Sequence, residues 1–242
     1  MLDLTTHLIK SCTCGNTTDF TETTKNTLSV LICSTCGVVH QKIPGWATKD
    51  LVNFYEHEYH KKFQEQKGVI TYKDRYEHDC RVADTRLQAY NGFLPRGTRG
   101  LDIGSSNSAF VHRARVNGYQ CLGLEPGENI GDDSVTIRGA LGEAFLNSDH
   151  WDWITMHDSV EHMVDMNLAL RQVWNLLVNK GRVVIDLPDY WKPAGQHHWK
   201  SIEHLWFHTA GQMQDILHKN GFTVEAIKEP IPGKLVFYAV KA

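Results

Sequence analysis

Two groups of residues in this chain could do chemistry. The first lies in Arg99 to Phe110, RGLDIGSSNSAF, which reads as a short buried strand ending in Asp102, a turn through Gly104, and the start of a helix. Glu125 closes a second apolar strand, QCLGLE, 21 residues after Gly104. An acidic group at the end of that strand is placed to accept hydrogen bonds from ribose hydroxyls, and the glycine turn lets a ligand approach the backbone. This pattern predicts a nucleoside-cofactor site. Ser106 and Ala109 stand where a dinucleotide loop would carry its second and third glycines, so the spacing does not favour a pyrophosphate. The second group is Cys12-Thr-Cys14-Gly and Cys33-Ser-Thr-Cys36-Gly, two short knuckles separated by 18 residues. Four thiolates satisfy a closed tetrahedral zinc site, and a segment this small has too little core to fold by burial alone. Because the first knuckle is C-x-C, His7 and His40 are available as substitute ligands, and unligated or redox-active cysteines are the alternative reading.

These groups need elements to hold them. Trp151 to His157 and Gly181 to Leu187 read as further buried strands, and Asp165 to Asn179 shows helical apolar spacing between them. Thr209-x-x-Gln212 reads as a capping box opening a helix that Asn220-Gly221 ends, and Phe222–Ile227 and Lys234–Val240 complete a sheet. Residues 48 to 94 read as helical and rich in tyrosine and histidine. Cys80 and Cys121 are read as packing residues. The expected organisation is a zinc-ribbon module over 1–45, a helical lid or linker over 46–97 and an α/β domain over 98–242.

The chain has 242 residues, 41% of them hydrophobic, and a net charge of −3. That length can bury one sizeable α/β core with a small appendage, and the charge offers no global cationic field to gather nucleic acid or an anionic membrane. The N-terminus lacks a basic start followed by an apolar run, and no stretch approaches the ~18 apolar residues of a membrane span, so a soluble, cytoplasmic protein is expected.

The run from Asp102 to Ser108 resembles the D-x-G-x-x-x-G/S loop of class I S-adenosylmethionine-dependent methyltransferases. The segment from Trp151 to Pro188, WDWITMHDSVEHM followed by NKGRVVIDLP, is similar to their V-L-E-H and P-G-G regions, and the likeness extends over roughly 99–241. It implies a Rossmann-like, doubly wound, seven-stranded sheet and S-adenosyl-L-methionine as cofactor. Asp102, Gly104, Ser106, Glu125 and Asp158 would then line the cofactor, with Tyr59 and Tyr76 contributed by the preceding helical lid. IEHLWFHTAGQMQDILHKNGF resembles a segment of small-molecule and sugar methyltransferases. Sugar C-methyltransferases also carry a zinc-binding N-terminal segment, a tyrosine-rich stretch and an E-H pair that matches Glu203 and His204 by position. The resemblance implies a small, sugar-like or other metabolite or glycan acceptor, with His204 as general base helped by Glu203 or His162.

Two other readings stay open. Asp158-x-x-Glu161-His162 with His197, His198 and His204 resembles the metal-binding set of small-RNA 2′-O-methyltransferases, in which a divalent ion would act on a ribose hydroxyl. The chain could also be a non-catalytic cofactor-binding module that uses the ribbon to hold a partner.

Overall fold

The computed structural model describes residues 4–57, 75–127, 131–142 and 150–242. Strands β1 (Phe20–Lys25), β2 (Leu28–Cys33) and β3 (Val39–Gln41) are followed by helices α1 (Thr48–His57) and α2 (Tyr76–Ala89). Then come β4 (Arg99–Ile103), α3 (Ala109–Val116), β5 (Gln120–Glu125), β6 (Thr136–Arg138), β7 (Trp151–His157), α4 (Met166–Leu176) and β8 (Leu177–Pro188). The chain closes through β9 (Trp206–Phe207), α5 (Ala210–Lys219), β10 (Phe222–Lys228) and β11 (Lys234–Lys241).

Seven strands form one sheet in the order β10-β11-β8-β7-β4-β5-β6. The pairs β4–β5, β5–β6, β4–β7 and β7–β8 are parallel, while β11 runs antiparallel to both β8 and β10. Side chains alternate between its two faces, as strand geometry requires. Ile154, Met156, Val183, Ile185, Leu235 and Phe237 pack with Leu170 and Val173 of α4 and Met213 and Leu217 of α5. The intervening Trp153, Val184, Val236 and Tyr238 pack with Leu87 of α2 and Phe110 and Ala114 of α3. Both faces are therefore covered by helices, which is why the strands read as near-continuous apolar runs. This is the expected α/β, doubly wound architecture.

The capping box at the start of α5 is formed as the sequence predicts, with Thr209 accepting from the Gln212 amide and the Gln212 side chain accepting from the Thr209 amide. The helix expected to run to Asn179 instead ends at Leu176. Leu177 is fully buried and pairs with Trp151, and the register then jumps so that Arg182 faces Trp153. Burying Leu177 in the sheet outweighs another half-turn of helix, and Lys180, at φ +59°, turns the irregular stretch in between.

A second, four-stranded antiparallel sheet has the order β1-β2-β3-β9. Its last strand comes not from the N-terminus but from the loop after β8. Leu8, Ile9, Val30 and Val39 share one apolar cluster with Phe207, Met213 and Leu187 of the large unit. Gln41 adds a polar strut: its side-chain amide donates to the carbonyls of Lys200 and His204, and its Oε1 accepts from the Ile202 amide. No helix among the described residues is long and apolar enough to cross a membrane.

Candidate functional site

The strand order reverses between β4 and β7, and a ligand in an open α/β sheet binds at the carboxyl ends of strands beside such a switch point. Gly104 lies there with φ +78°, and a Cβ at this position would come within 3.0 Å of the Ser159 Cβ, so the turn needs glycine on both counts. Ser106 and Ser108 also have positive φ, +47° and +62°. Ser108 occupies the place where the resembled loop usually has glycine, and its left-handed backbone explains that preference. Here its hydroxyl bonds Thr136 Oγ1 at 2.8 Å and accepts the Asp132 amide at 2.9 Å, offsetting the strain.

Glu125 ends β5 beside this loop. Its Oε2 accepts the Ser106 amide at 2.8 Å and its Oε1 the Gly127 amide at 2.9 Å. Burial raises its pKa and the two amides oppose that shift. Each carboxylate oxygen has a second acceptor site, so the group can take two hydroxyls while remaining anchored. Asp102 is buried beneath the loop, where it accepts from Thr155 Oγ1 at 2.7 Å and lies 3.0 Å from His157 Nδ1. Asp158, at φ +48°, pairs with Arg86 at 3.1 Å and with Lys234, and Arg86 forks onto Asp186 at 2.6 and 3.0 Å. Tyr76 bonds His112 Nδ1 at 2.7 Å, and His112 Nε2 lies 3.0 Å from Asp132 Oδ2. Tyr59 lies outside the described residues.

A second constellation sits where the turn after β7 meets the loop after β8. Glu161 and His162 belong to the 3-10 turn Val160–His162, and the Leu205 amide donates to the Glu161 carbonyl at 2.9 Å. One ligand atom from each of Glu161, His162 and His204 lies within 4.8 Å of the others. The His162 and His204 rings meet edge to face at 4.8 Å. Tyr190 Oη is 2.7 Å from His204 Nδ1, and Glu203 accepts from Lys200 Nζ at 2.9 Å while its Oε1 is 3.8 Å from His204 Nε2. Desolvation pushes the Glu161 carboxyl up to about 8 and the His162 imidazole down to about 4. Two members of the six-residue metal set considered from the sequence stand apart: Asp158 is engaged by Arg86 and Lys234, and His197 is exposed. His198 stacks on the His204 ring at 5.6 Å without joining the ligand cluster.

The four cysteines converge. Cys12 and Cys36 sulfurs are 3.5 Å apart, Cys14 and Cys33 sulfurs 3.6 Å apart, and all four lie within 4.8 Å of one another. Neither His7 nor His40 belongs to this group: His40 is buried against Phe20 and Trp206. The C-x-C knuckle thus supplies two sulfurs without a histidine substitute. Burial raises the Cys33 thiol, but the Asn16 side chain and the amides of Cys36 and Thr35 more than reverse this and bring it to about 6. Such N–H donors around sulfur suit a metal-thiolate site.

With this geometry in place, comparison with known proteins is decisive for the family. A methyltransferase-domain family model matches residues 73–227. The chain belongs to that family. It is an S-adenosylmethionine-dependent methyltransferase. No curated protein matches it. Solved structures with the same fold include an S-adenosylmethionine-dependent methyltransferase from Mesorhizobium loti, 20% identical, with 64% of this chain and 97% of that one covered at a TM-score of 0.54. A methyltransferase from Thermotoga maritima is 20% identical, covering 70% and 95% at 0.55. Phosphoethanolamine N-methyltransferase 2 from Haemonchus contortus, bound to S-adenosylmethionine, is 15% identical, covering 65% and 52% at 0.53. At these identities the likeness is one of fold. The cofactor is implied by the family, and the Gly104 turn and Glu125 fit it: a side-chain-free approach for its amino-acid end and an anchored carboxylate for its ribose.

His162 and His204 lie side by side; Glu161 is expected from the sequence only in the alternative metal set, and Tyr190, Arg86 and Gln41 are not expected among the site residues. Glu161 could have been found from its E-H pairing. The other three carry no local signal, because their partners are 14, 100 and about 160 residues away in sequence.

Proposed function

We propose that this methyltransferase acts on a hydroxyl of a small, sugar-like metabolite or glycan, and that the Glu161–His162–His204 cluster ionises that hydroxyl. The observation that carries this reading is position. The cluster lies on the turns after β7 and β8, at the same end of the sheet as Gly104 and Glu125, and Ser159, which abuts Gly104, is two residues from Glu161. Bound S-adenosylmethionine supplies an electrophilic methyl group. The chain's own task is to hold the acceptor oxygen in line and remove its proton. His204, steadied by Tyr190 and flanked by Glu203, is the residue on which that step most depends. A net charge of −3 argues against a polyanionic acceptor. We also propose that zinc occupies the Cys12–Cys14–Cys33–Cys36 cluster, since four converging sulfurs with N–H donors match a structural zinc site.

Labelled S-adenosylmethionine offered with fractionated metabolite and glycan pools, with and without nuclease treatment, tests the acceptor class. Label should pass to a small hydroxyl compound in a nuclease-insensitive manner. His204→Ala should lower turnover by ~10²–10⁴-fold while calorimetric affinity for the cofactor stays nearly unchanged. Label appearing only in nuclease-sensitive material would replace this reading with RNA methylation.

A further inference from the structure

Glu161 presents an energetic problem that the fold leaves unsolved. Its side chain is completely buried, and among the described residues neither carboxylate oxygen has a hydrogen-bond partner. Burying a carboxyl without partners costs several kcal/mol, roughly, and natural sequences keep such groups where something else satisfies them. The neighbouring imidazoles do not bond it, although their ligand atoms lie within 4.8 Å. That bound accommodates the ~3.4 Å that separates neighbouring donors around one tetrahedral ion with bonds of about 2.1 Å.

The two histidines are held as metal-binding histidines are. Tyr190 contacts Nδ1 of His204, with Nε2 on the side of the carboxylates, and the His162 ring bonds the backbone carbonyl of Glu203. In metal sites such a partner on one ring nitrogen fixes the orientation of the ring toward the ion. Glu203, itself held by Lys200, lies beside the cluster and adds negative charge. His162 is only half-buried, which provides an opening on one side of an otherwise closed site.

We propose that Glu161, His162 and His204 bind one divalent transition-metal ion, and that this ion, bound to the acceptor oxygen, is how the cluster ionises the hydroxyl. Two imidazoles and one carboxylate suit manganese, iron, cobalt, nickel or zinc, and three protein ligands leave positions open for an acceptor oxygen and water. The proton then leaves from a metal-bound hydroxyl to solvent or to Glu203, with no change of oxidation state. His204 becomes a ligand in this scheme instead of the base itself. The inference rests on the cluster being the acceptor end of the site, and its test separates the two claims.

The full chain, with its cysteine site loaded with zinc, is titrated with Mn²⁺ and followed by loss of the free-ion electron paramagnetic resonance signal; Co²⁺ is followed by visible absorption. One ion should bind per chain without thiolate charge-transfer bands. Glu161→Gln, which keeps the shape and removes the charge, should weaken binding at least tenfold while calorimetric affinity for S-adenosylmethionine stays within about twofold, showing that the fold is kept. His204→Asn serves as the second variant and should weaken binding similarly. Absence of stoichiometric binding to the wild-type chain, or wild-type affinity in both variants, overturns the metal site. If turnover is metal-independent yet lost in His204→Ala, the ion is overturned and the acceptor reading stands, with His204 acting directly as base. If His204→Ala retains full turnover, the acceptor reading falls whatever the metal titration shows.

Discussion

At the residue scale, Glu125 carries a clear expectation. Its two backbone amide donors hold the carboxylate in place, so a ribose bound there would meet a preorganised acceptor. Glu125→Ala should weaken S-adenosylmethionine binding by ~1–3 kcal/mol through loss of charge-assisted hydrogen bonds, read by titration calorimetry. Unchanged affinity would remove Glu125 from the cofactor site. The proximity of these residues was legible in the sequence, because Asp102, Gly104, Ser106 and Glu125 lie on consecutive elements whose order brings them together. What spacing could not reveal is which groups each carboxylate faces. Asp102 faces Thr155 and His157 inside the protein, while Glu125 stands at the loop.

At the element scale, the small sheet has its own pH sensitivity. His40 of β3 and His208, next to β9, flank Trp206, with ring centroids 5.3 and 5.9 Å away. Both are fully buried; desolvation holds His40 at about 4 and His208 at about 3, below their ordinary value near 6.5. The unfolded chain therefore binds more protons than the folded one between pH 6.5 and the folded values. Above pH 6.5 neither residue affects stability. Below it, each removes up to ~1.4 kcal/mol per pH unit until its folded pKa is reached. Urea unfolding followed by tryptophan fluorescence should show a midpoint that is flat from pH 8 to 7 and falls from pH 6.5 to 4.5. In a His40→Gln, His208→Gln variant the fall should be shallower, and an identical fall would assign the acid sensitivity elsewhere. The half-legible element is α4, whose apolar spacing was clear but whose end was not. Helical periodicity continues past Leu176, and only pairing with Trp151 tells Leu177 to join the sheet.

At the scale of the whole molecule, the sheet of the cysteine cluster and the loop that carries His204 are joined. The sheet that carries Cys33 ends in β9, and Gln41 is bonded to Lys200, Ile202 and His204 in the loop before it. An independent ribbon would unfold alone on losing metal; this one should take the 200–208 loop with it. Cys33→Ser should therefore abolish most turnover and raise amide exchange across both β1–β3 and residues 200–208. Affinity for S-adenosylmethionine should stay near wild type, because Gly104 and Glu125 are held by β4 and β5. Exchange confined to residues before 45 would show that the two units fold separately.

The sequence by itself determined which residues could do chemistry and which elements would carry them. Apolar runs specified the buried strands, Gly104 the turn at the first of them, Thr209 and Gln212 the opening of α5, and two knuckles the four sulfurs. These are local facts, set by side-chain type and spacing over a few residues. Tertiary structure alone decided that a two-residue strand from the second half of the chain closes the N-terminal sheet, that Gln41 braces the loop of His204, and that the Glu161 carboxylate is buried near two histidines with no hydrogen-bond partner among the described residues. Those outcomes depend on contacts between residues up to about 160 positions apart, for which no periodicity or short motif exists, and on burial, which turns an ordinary carboxylate into a group that requires a partner.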